Sequence, residues 1–343
     1  MESHPCEQLF AIEQAAFHFR VSCPDLREVL SSYLSYYRET ALLPGAFHFK
    51  VSLEREPPGK IREQVVSFVP GMTPLAGFFA PPSQAVDEEA FFQLYRSDER
   101  LFFMRGINEP ALWAEITPSS LSARAVIAPG VEARGWGFRQ LFLVILQELM
   151  KHAGFTPLHA ACAASEGKGV LIIAPSGAGK TTTTLSLVKG GFEFLSDDTV
   201  FLRARGGAPE IVPFCEKVKA LPATLSFFKE LRPLCSRPFE RGADKHFFPV
   251  EEFFGKAPLR QVRPSLLLFL TPPRTGSSSA VAISSREAFE GIIAQSGIVG
   301  LNRSAARESF SLMAELVRET RSVAFSPGGD LREIPHAVRR LIP

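Results

Sequence analysis

The chain has 343 residues, enough for one large domain or for two ordinary ones with a buried core. Apolar residues make up 45% of it and charged residues 22%, a composition that excludes a disordered chain. The net charge is only +2, so bulk electrostatics predict no nucleic-acid partner, and any phosphate site must be local.

The cysteines and the amino-terminal residues predict where the protein is found. The five cysteines are odd in number and widely spaced, which favours reduced thiols in a cytosol. The first ten residues lack the basic and apolar regions of a signal peptide, and the longest strongly apolar run, 141–150, is about half a membrane span. We therefore predict a cytoplasmic protein with no membrane partner.

Residues 1–130 are predicted to form a small α+β domain of unknown role with a meandering sheet. Residues 17–22 and 47–52 alternate as half-buried strands do, and residues 25–39 between them have helical spacing. Proline, glycine and aspartate separate the further predicted strands, which are 63–69, 89–95, 100–105, 112–117 and 122–127. No catalytic motif is found in this part.

Residues 131–343 are predicted to form a second, α/β domain. Glycine and proline cluster at 128–137, and a helix is predicted over 138–152. Apolar segments 156–164 and 169–175 predict two strands joined by a tight polar turn, followed by a helix that ends at Gly190. The remaining predicted elements are a strand from Phe192, an irregular stretch at 222–258, a strand at 265–270, helices between 285 and 320, a strand at 322–326 and a short carboxyl-terminal helix.

The segment APSGAGKT fits the phosphate-loop pattern, with alanine in place of the usual first glycine. Glycines let successive backbone N–H groups face one anion, and the helix that follows adds its positive dipole end. Lys180 can then reach the β- and γ-phosphates, and the Thr181 hydroxyl can bind magnesium. The pattern therefore predicts binding of ATP and Mg²⁺. The residues predicted to bind the nucleotide are Ala174, Pro175, Ser176, Gly177, Ala178, Gly179, Lys180, Thr181 and Thr182.

Asp197 and Asp198 follow Lys180 by 17 and 18 residues, at the end of the predicted strand. A phosphoryl-transfer site needs one carboxylate near magnesium and a base for the acceptor hydroxyl, and the pair can divide these roles. His159 precedes Lys180 by 21 residues on the strand before the loop. It is either a buried core histidine or a hydrogen-bond partner of a carboxylate or a phosphate.

Together, His159, the loop 174–181 and the pair Asp197 and Asp198 resemble the catalytic domain of HPr kinase/phosphorylase, and more closely the HPr-kinase-related proteins. The spacing from the histidine to the loop lysine and on to Asp-Asp matches that family. The resemblance implies a P-loop domain with a mixed sheet and a fold shared with phosphoenolpyruvate carboxykinase. It also implies that His159 and the acidic pair, Asp198 foremost, are catalytic together with Lys180.

This chain departs from the family after the acidic pair. The family has a glutamate-bearing signature there, which we do not find, and PFCEKVKALP occupies the stretch 213–222. Glu216 can supply the missing carboxylate, which makes Thr181, Asp198 and Glu216 the predicted metal ligands. Alternatively, Lys217 and Lys219 contact phosphate. HPr as the substrate and the phosphorylase activity are both doubtful for this reason.

These observations favour a kinase that phosphorylates a hydroxyl, with serine on a protein or peptide as the acceptor and Asp198 as the base. A nucleotide-sensing accessory protein without phosphoryl transfer and a small-molecule kinase are the alternatives. Asp244, Lys245 and His246 either line the acceptor site or form an exposed turn. The family forms hexamers, so a homo-oligomer is possible, but no contact residue transfers.

Overall fold

The computed structural model describes residues 6–37, 45–68, 72–78, 92–97, 100–105, 111–133, 136–237, 245–255, 261–296 and 303–343. These residues form two units that divide between Ala153 and Gly154. The sequence places the domain boundary at residue 130 instead. The difference is the helix Trp136–His152, which packs against strands of the first unit.

The first unit is built on one eight-stranded sheet of described residues. Its strands are β1 (Cys6–Ile12), β2 (Ala15–Val21), β3 (Phe47–Arg55), β4 (Thr73–Phe78), β5 (Phe92–Arg96), β6 (Leu101–Arg105), β7 (Leu112–Thr117) and β8 (Ser122–Ile127). They lie in the order β1-β2-β3-β8-β7-β6-β5-β4. Strands β4 to β8 form the predicted antiparallel meander, whereas β2, β3 and β8 run parallel to one another.

Three α-helices accompany this sheet in the described residues: α1 (Pro24–Tyr33), α2 (Pro58–Phe68) and α3 (Trp136–His152). The strand predicted over 63–69 is wrong, because that segment belongs to α2. Ile61 and Val65 are the buried residues of α2, and their spacing of four is that of one helix face. The described residues of this unit also include two short 3-10 helices, Ser35–Tyr37 and Pro118–Ser120.

The second unit contains two larger sheets and one strand pair. Its strands are β9 (Thr156–Leu158), β10 (Ala161–Ser165), β11 (Lys168–Ile173), β12 (Glu193–Ser196), β13 (Val200–Arg205), β14 (Ala208–Pro213), β15 (Val218–Ala220), β16 (His246–Phe248), β17 (Arg263–Leu270), β18 (Ser279–Ala282) and β19 (Arg321–Ser326). The main sheet has the order β12-β10-β11-β17-β19-β18, the smaller sheet β14-β13-β9, and β15 pairs with β16. The main sheet is mixed, as predicted, because only β11, β17 and β19 run parallel.

Helices cover both faces of the main sheet. The α-helices are α4 (Lys180–Lys189), α5 (Pro222–Ser226), α6 (Val250–Phe254), α7 (Ser285–Ala294), α8 (Arg303–Glu319) and α9 (Ile334–Arg339), and 3-10 helices span Lys229–Ser236 and Leu331–Glu333. One face of β11 packs with α7 and α8, and the other packs with α4 and α9. Burial on both faces explains why β11 and β17 are continuous apolar runs. The stretch 222–258, predicted to be irregular, consists of short elements where it is described.

Two predicted strands are each divided in the structure, and the divisions lie side by side. Leu158 pairs with Val200 in the smaller sheet, and Cys162 pairs with Ser196 in the main sheet. The chain therefore leaves one sheet and enters the other twice, once between β9 and β10 and once between β12 and β13. The sequence places His159 on a strand, which is wrong, because this residue lies in the first of these two crossings.

No helix in the described ranges is both long and apolar enough to cross a bilayer.

Candidate functional site

The loop between β11 and α4 has the geometry of an anion-binding turn. Gly177 and Gly179 have φ angles of 81° and 93°, which a residue with a side chain adopts only under strain. Ala174 does not have a positive φ, so alanine fits where the pattern usually has glycine. The residues from Pro175 to Ala178 are exposed. The loop amides are therefore accessible next to the amino-terminal end of α4.

Lys180, the first residue of α4, reaches back across the loop. Its Nζ lies 2.6 Å from the carbonyl oxygen of Ala174, 3.2 Å from that of Pro175 and 3.0 Å from Nε2 of His159. These three acceptors match the three N–H donors of an ammonium group. Lys180 is 7% exposed, and this burial lowers its pKa, while the charges of Asp198 and Asp197 oppose the shift.

The contacts of His159 determine its tautomer. Its Nδ1 lies 2.9 Å from the carbonyl oxygen of Asp198 and 3.1 Å from Oδ1 of the same residue. Both oxygens are acceptors, so Nδ1 carries a proton, and the neutral ring then accepts the Lys180 hydrogen bond at Nε2. The backbone N–H of His159 donates to the carbonyl oxygen of Gln295 at 2.8 Å. The histidine thus connects the phosphate loop to the acidic pair.

Asp197 faces the phosphate-loop helix. Its Oδ2 accepts hydrogen bonds from the Thr181 hydroxyl at 3.2 Å and from the backbone N–H of Lys219 at 3.3 Å. Oδ1 is buried and has no hydrogen-bond partner among the described residues. Burial, and secondly the charge of Asp198, raises the pKa of Asp197 to about 7. A buried carboxylate oxygen without a donor is poised to accept a proton or bind a cation.

Asp198 faces in a different direction from its neighbour. In addition to His159, it contacts Lys219, whose Nζ lies 3.3 Å from Asp198 Oδ2. The same ammonium forms a close ion pair with Oε2 of Glu216. The side chain of Asp198 is 28% exposed, whereas those of Lys219 and Glu216 are largely buried. Within the described residues, Lys219 rather than Lys217 touches the acidic pair.

The acidic groups of the site offer few ligands for magnesium. No cluster of three or more histidine, cysteine, aspartate or glutamate side chains in the described residues could hold a metal ion. Magnesium, however, is usually held by one or two carboxylates together with substrate phosphates. Thr181 Oγ1 and Oδ1 of Asp197, which no donor among the described residues reaches, suit that arrangement. Glu216, a predicted metal ligand, is paired with Lys219 instead, and Asp198 is shared by Lys219 and His159.

The structure brings most of the predicted site residues together. Lys180, His159 and Asp198 form one chain of contacts, and Thr181 joins Asp197 to it. Sequence analysis did not identify Thr224, Gln295 or the central position of Lys219. Thr224 and Gln295 come from distant parts of the chain and belong to no motif, so no local signal could reveal them, whereas Lys219 was one of two lysines predicted to contact phosphate. These three residues contact Thr182, His159 and the acidic pair, respectively.

Lys245 adds positive charge near the site. It lowers the pKa of both Lys180 and Asp197, so its ammonium lies within electrostatic range of both. This supports the interpretation that Lys245 borders the site, whereas His246 is a buried residue of β16. Asp244, the third residue of that predicted group, lies outside the described residues.

Comparison with known proteins gives partial matches. No family model matches the chain. It is 38% identical over 77 residues to HPr kinase/phosphorylase 1 of Oceanobacillus iheyensis, which is 21% of this chain and 25% of that protein. It is 36% identical over 77 residues to HPr kinase/phosphorylase of Bacillus pumilus, with the same shares. The chain thus spans about a quarter of the length of these curated relatives.

Among solved structures, the HPr(Ser) kinase/phosphatase from Coxiella burnetii aligns with 54% of this chain and 87% of its own. The identity is 16% and the TM-score is 0.30, which is too low to identify a shared fold. The conclusion about related proteins therefore rests on the sequence matches. They confirm the resemblance that the motifs predict: a segment of this chain is related to the HPr kinase/phosphorylases.

Proposed function

We propose that this protein is an ATP- and magnesium-dependent kinase that transfers the γ-phosphoryl group to a hydroxyl, a serine of a protein or peptide. One observation carries the proposal. The phosphate-loop lysine, Lys180, is joined through His159 to Asp198, so the residue that binds phosphate and a carboxylate that can act as a base occupy one site. The partial similarity to proteins named HPr kinase/phosphorylase supports a protein acceptor.

In this proposal the two aspartates have different roles, one as the base and the other as a metal ligand. Asp198 accepts the proton of the acceptor hydroxyl, because its side chain is the more exposed of the two and is oriented by His159 and Lys219. Asp197 and Thr181 hold magnesium, since they lie together beside the loop and Asp197 Oδ1 has no donor among the described residues. When bound, magnesium neutralises charge on the phosphate oxygens. This assignment moves the metal carboxylate from Asp198 and Glu216 to Asp197.

The phosphate loop stabilises the transferring group. The exposed amides between Pro175 and Gly179 bind the phosphates, and the Lys180 ammonium moves from the Ala174 and Pro175 carbonyls to the phosphate oxygens. His159 remains as a neutral ring that keeps Asp198 in place through its Nδ1 proton. HPr itself is a weaker candidate acceptor, because this chain lacks the family's glutamate signature.

The test compares Asp198→Asn with the wild type. Loss of a general base typically lowers the rate by about 10² to 10⁴, so transfer from γ-labelled ATP to a serine peptide array should fall by that factor. ATP affinity, measured by calorimetry, should stay within about threefold because the contacts described for Asp198 go to His159 and Lys219. Asp330→Asn is the matched control, since Asp330 is exposed and pairs only locally, with Arg332.

Unchanged transfer in Asp198→Asn would contradict the assigned base. If the wild type binds ATP with neither transfer nor hydrolysis, the nucleotide-sensing function replaces the kinase.

A further inference from the structure

Lys219 is the cation around which the acidic side chains of the site are arranged. Its ammonium lies 3.3 Å from Asp198 Oδ2 and forms a close ion pair with Glu216 Oε2. Its backbone N–H donates to Oδ2 of Asp197 at 3.3 Å. One residue thus contacts every carboxylate that the sequence places near magnesium. The Lys219 side chain is only 10% exposed, so these contacts are shielded from water.

The backbone around Lys219 fixes this position. Lys219 is the middle residue of β15 and pairs with Phe247 of β16. Val218 and Ala220 on either side are fully buried, so they anchor the strand while the lysine points to the opposite face. The packed strand therefore fixes the position of the ammonium next to the acidic pair. Such an arrangement differs from a surface lysine that happens to meet a carboxylate.

A cation held between two carboxylates from separate positions is the environment of a divalent metal ion. Some kinases hold two magnesium ions in their active sites, through carboxylate and amide side chains. A lysine ammonium is a compact point charge that can occupy the same kind of position without being lost to solvent. Lys219 cancels one of the two negative charges of Glu216 and Asp198 and occupies the space between them, which reduces their attraction for an additional cation.

We propose that Lys219 is a positioning residue that takes the place of a second divalent cation between Asp198 and Glu216. The lysine holds the carboxylate of Asp198 toward the acceptor, and the site binds one divalent ion, at Thr181 and Asp197. Glu216 is the counter-ion of Lys219 and not a metal ligand. The statement about the acceptor rests on the proposed function, whereas the exclusion of a cation from this position does not.

The test is a titration with Mn²⁺ alone, in the absence of nucleotide, followed by electron paramagnetic resonance of the free ion. Lys219→Met removes the charge but keeps the length of the side chain. The variant should bind Mn²⁺ at least about tenfold more tightly than the wild type, because two carboxylates lose their cation and Mn²⁺ prefers such oxygen ligands. In the double variant K219M/E216Q this gain should disappear.

Two controls make the result specific. Lys189→Met removes another lysine from a carboxylate, Glu230, in the same unit and should leave Mn²⁺ affinity unchanged. Lys219→Arg keeps the charge and should also bind Mn²⁺ like the wild type. A K219M variant with wild-type Mn²⁺ affinity would overturn the proposal, and so would a gain that persists in K219M/E216Q.

A measurement on the unmodified protein covers the case in which K219M does not fold. With a non-hydrolysable ATP analogue present, the wild type should bind one Mn²⁺ per chain, and two would overturn the proposal. The titration without nucleotide requires no turnover. It therefore gives a result for Lys219 even if the chain transfers no phosphoryl group, and the two proposals can fail separately.

Discussion

Asp197→Asn tests the electrostatics of the site, because Asp197 has a pKa of about 7 against an ordinary value of 3.8. Its burial and the neighbouring charge of Asp198 favour the protonated form in the folded chain, while the unfolded chain ionises near pH 4. Folding therefore takes up a proton between about pH 4 and pH 7. Stability contributed by this group is present at low pH and is lost as the pH rises through 7.

The magnitude follows from the free energy of about 1.36 kcal/mol per pH unit. Over the whole interval the wild type loses at most about 4 kcal/mol, and between pH 5 and pH 8 about 3 kcal/mol. Asparagine has the shape of protonated aspartate and keeps an oxygen for the Thr181 hydroxyl, but it does not ionise. The variant should therefore gain about 3 kcal/mol relative to the wild type when both are moved from pH 5 to pH 8.

The assay is hydrogen–deuterium exchange with mass spectrometry in a chelating buffer, with both proteins compared at the same pH. Peptides from β10 and β12 report the opening free energy of the main sheet, next to the acidic pair. Asp198→Asn is the control: it removes the second cause of the shift, so the loss of stability should level off at a lower pH and be smaller in total. A difference between Asp197→Asn and wild type that is equal at pH 5 and pH 8 would refute the argument.

Two glycine substitutions test the backbone of the site. Gly179→Ala forces alanine into a φ of 93°. The unfolding free energy should fall by about 1 kcal/mol or more, and the ATP affinity measured by calorimetry should fall by about tenfold. Ala178→Gly is the control and should leave the ATP affinity within about threefold. Gly190→Ala would place a Cβ 2.2 Å from Cγ of Pro335, so it should destabilise the protein by about 1 to 3 kcal/mol and lower the melting temperature. Gly329→Ala, whose Cβ meets nothing within 4 Å, should leave the melting temperature unchanged.

Local chemistry made parts of the second unit predictable. The tight turn between β10 and β11 has Glu166 and Gly167 at φ angles of 53° and 74°, the conformation that joins two antiparallel strands directly. The apolar run in β17 is long enough for a strand and too short for most helices. The end of α4 was also predictable, because Gly191 has a φ of 98°.

The first unit shows where periodicity fails. Among residues 58–67 of α2, whose burial the structure describes, Ile61 and Val65 are the buried ones, so the helical pattern rests on two residues in a polar segment. Val65 and Val66 favour a strand because β-branched residues have high strand propensity. The segment is nevertheless a helix, because Ile61 and Val65 pack together against the sheet. Strand β1 was not predicted because it pairs with β2 through a sharp turn at Glu13, whose φ of 53° is rare for glutamate.

The site is harder to predict than its motifs, since its geometry depends on how two sheets exchange strands. The segments 156–164 and 192–202 are both predicted as single strands, and neither has a glycine or proline at the crossing itself, since Pro157 lies within β9. The crossing becomes visible only when β9 pairs with β13 and β10 pairs with β12. It releases His159 and the acidic pair from strand geometry, which is why their side chains can converge.

The separate roles of Asp197 and Asp198 follow from the same crossing. Inside a strand, neighbouring residues point to opposite faces, so only one carboxylate of an adjacent pair could serve the site. Because β12 ends at Ser196, both residues lie in the bend that follows, where one turns toward Thr181 and the other toward His159. Two neighbouring acids beside one phosphate loop thus acquire different environments, one buried with a raised pKa, the other partly exposed beside a lysine. In the proposed function, this difference lets Asp197 serve the metal ion and Asp198 accept the proton.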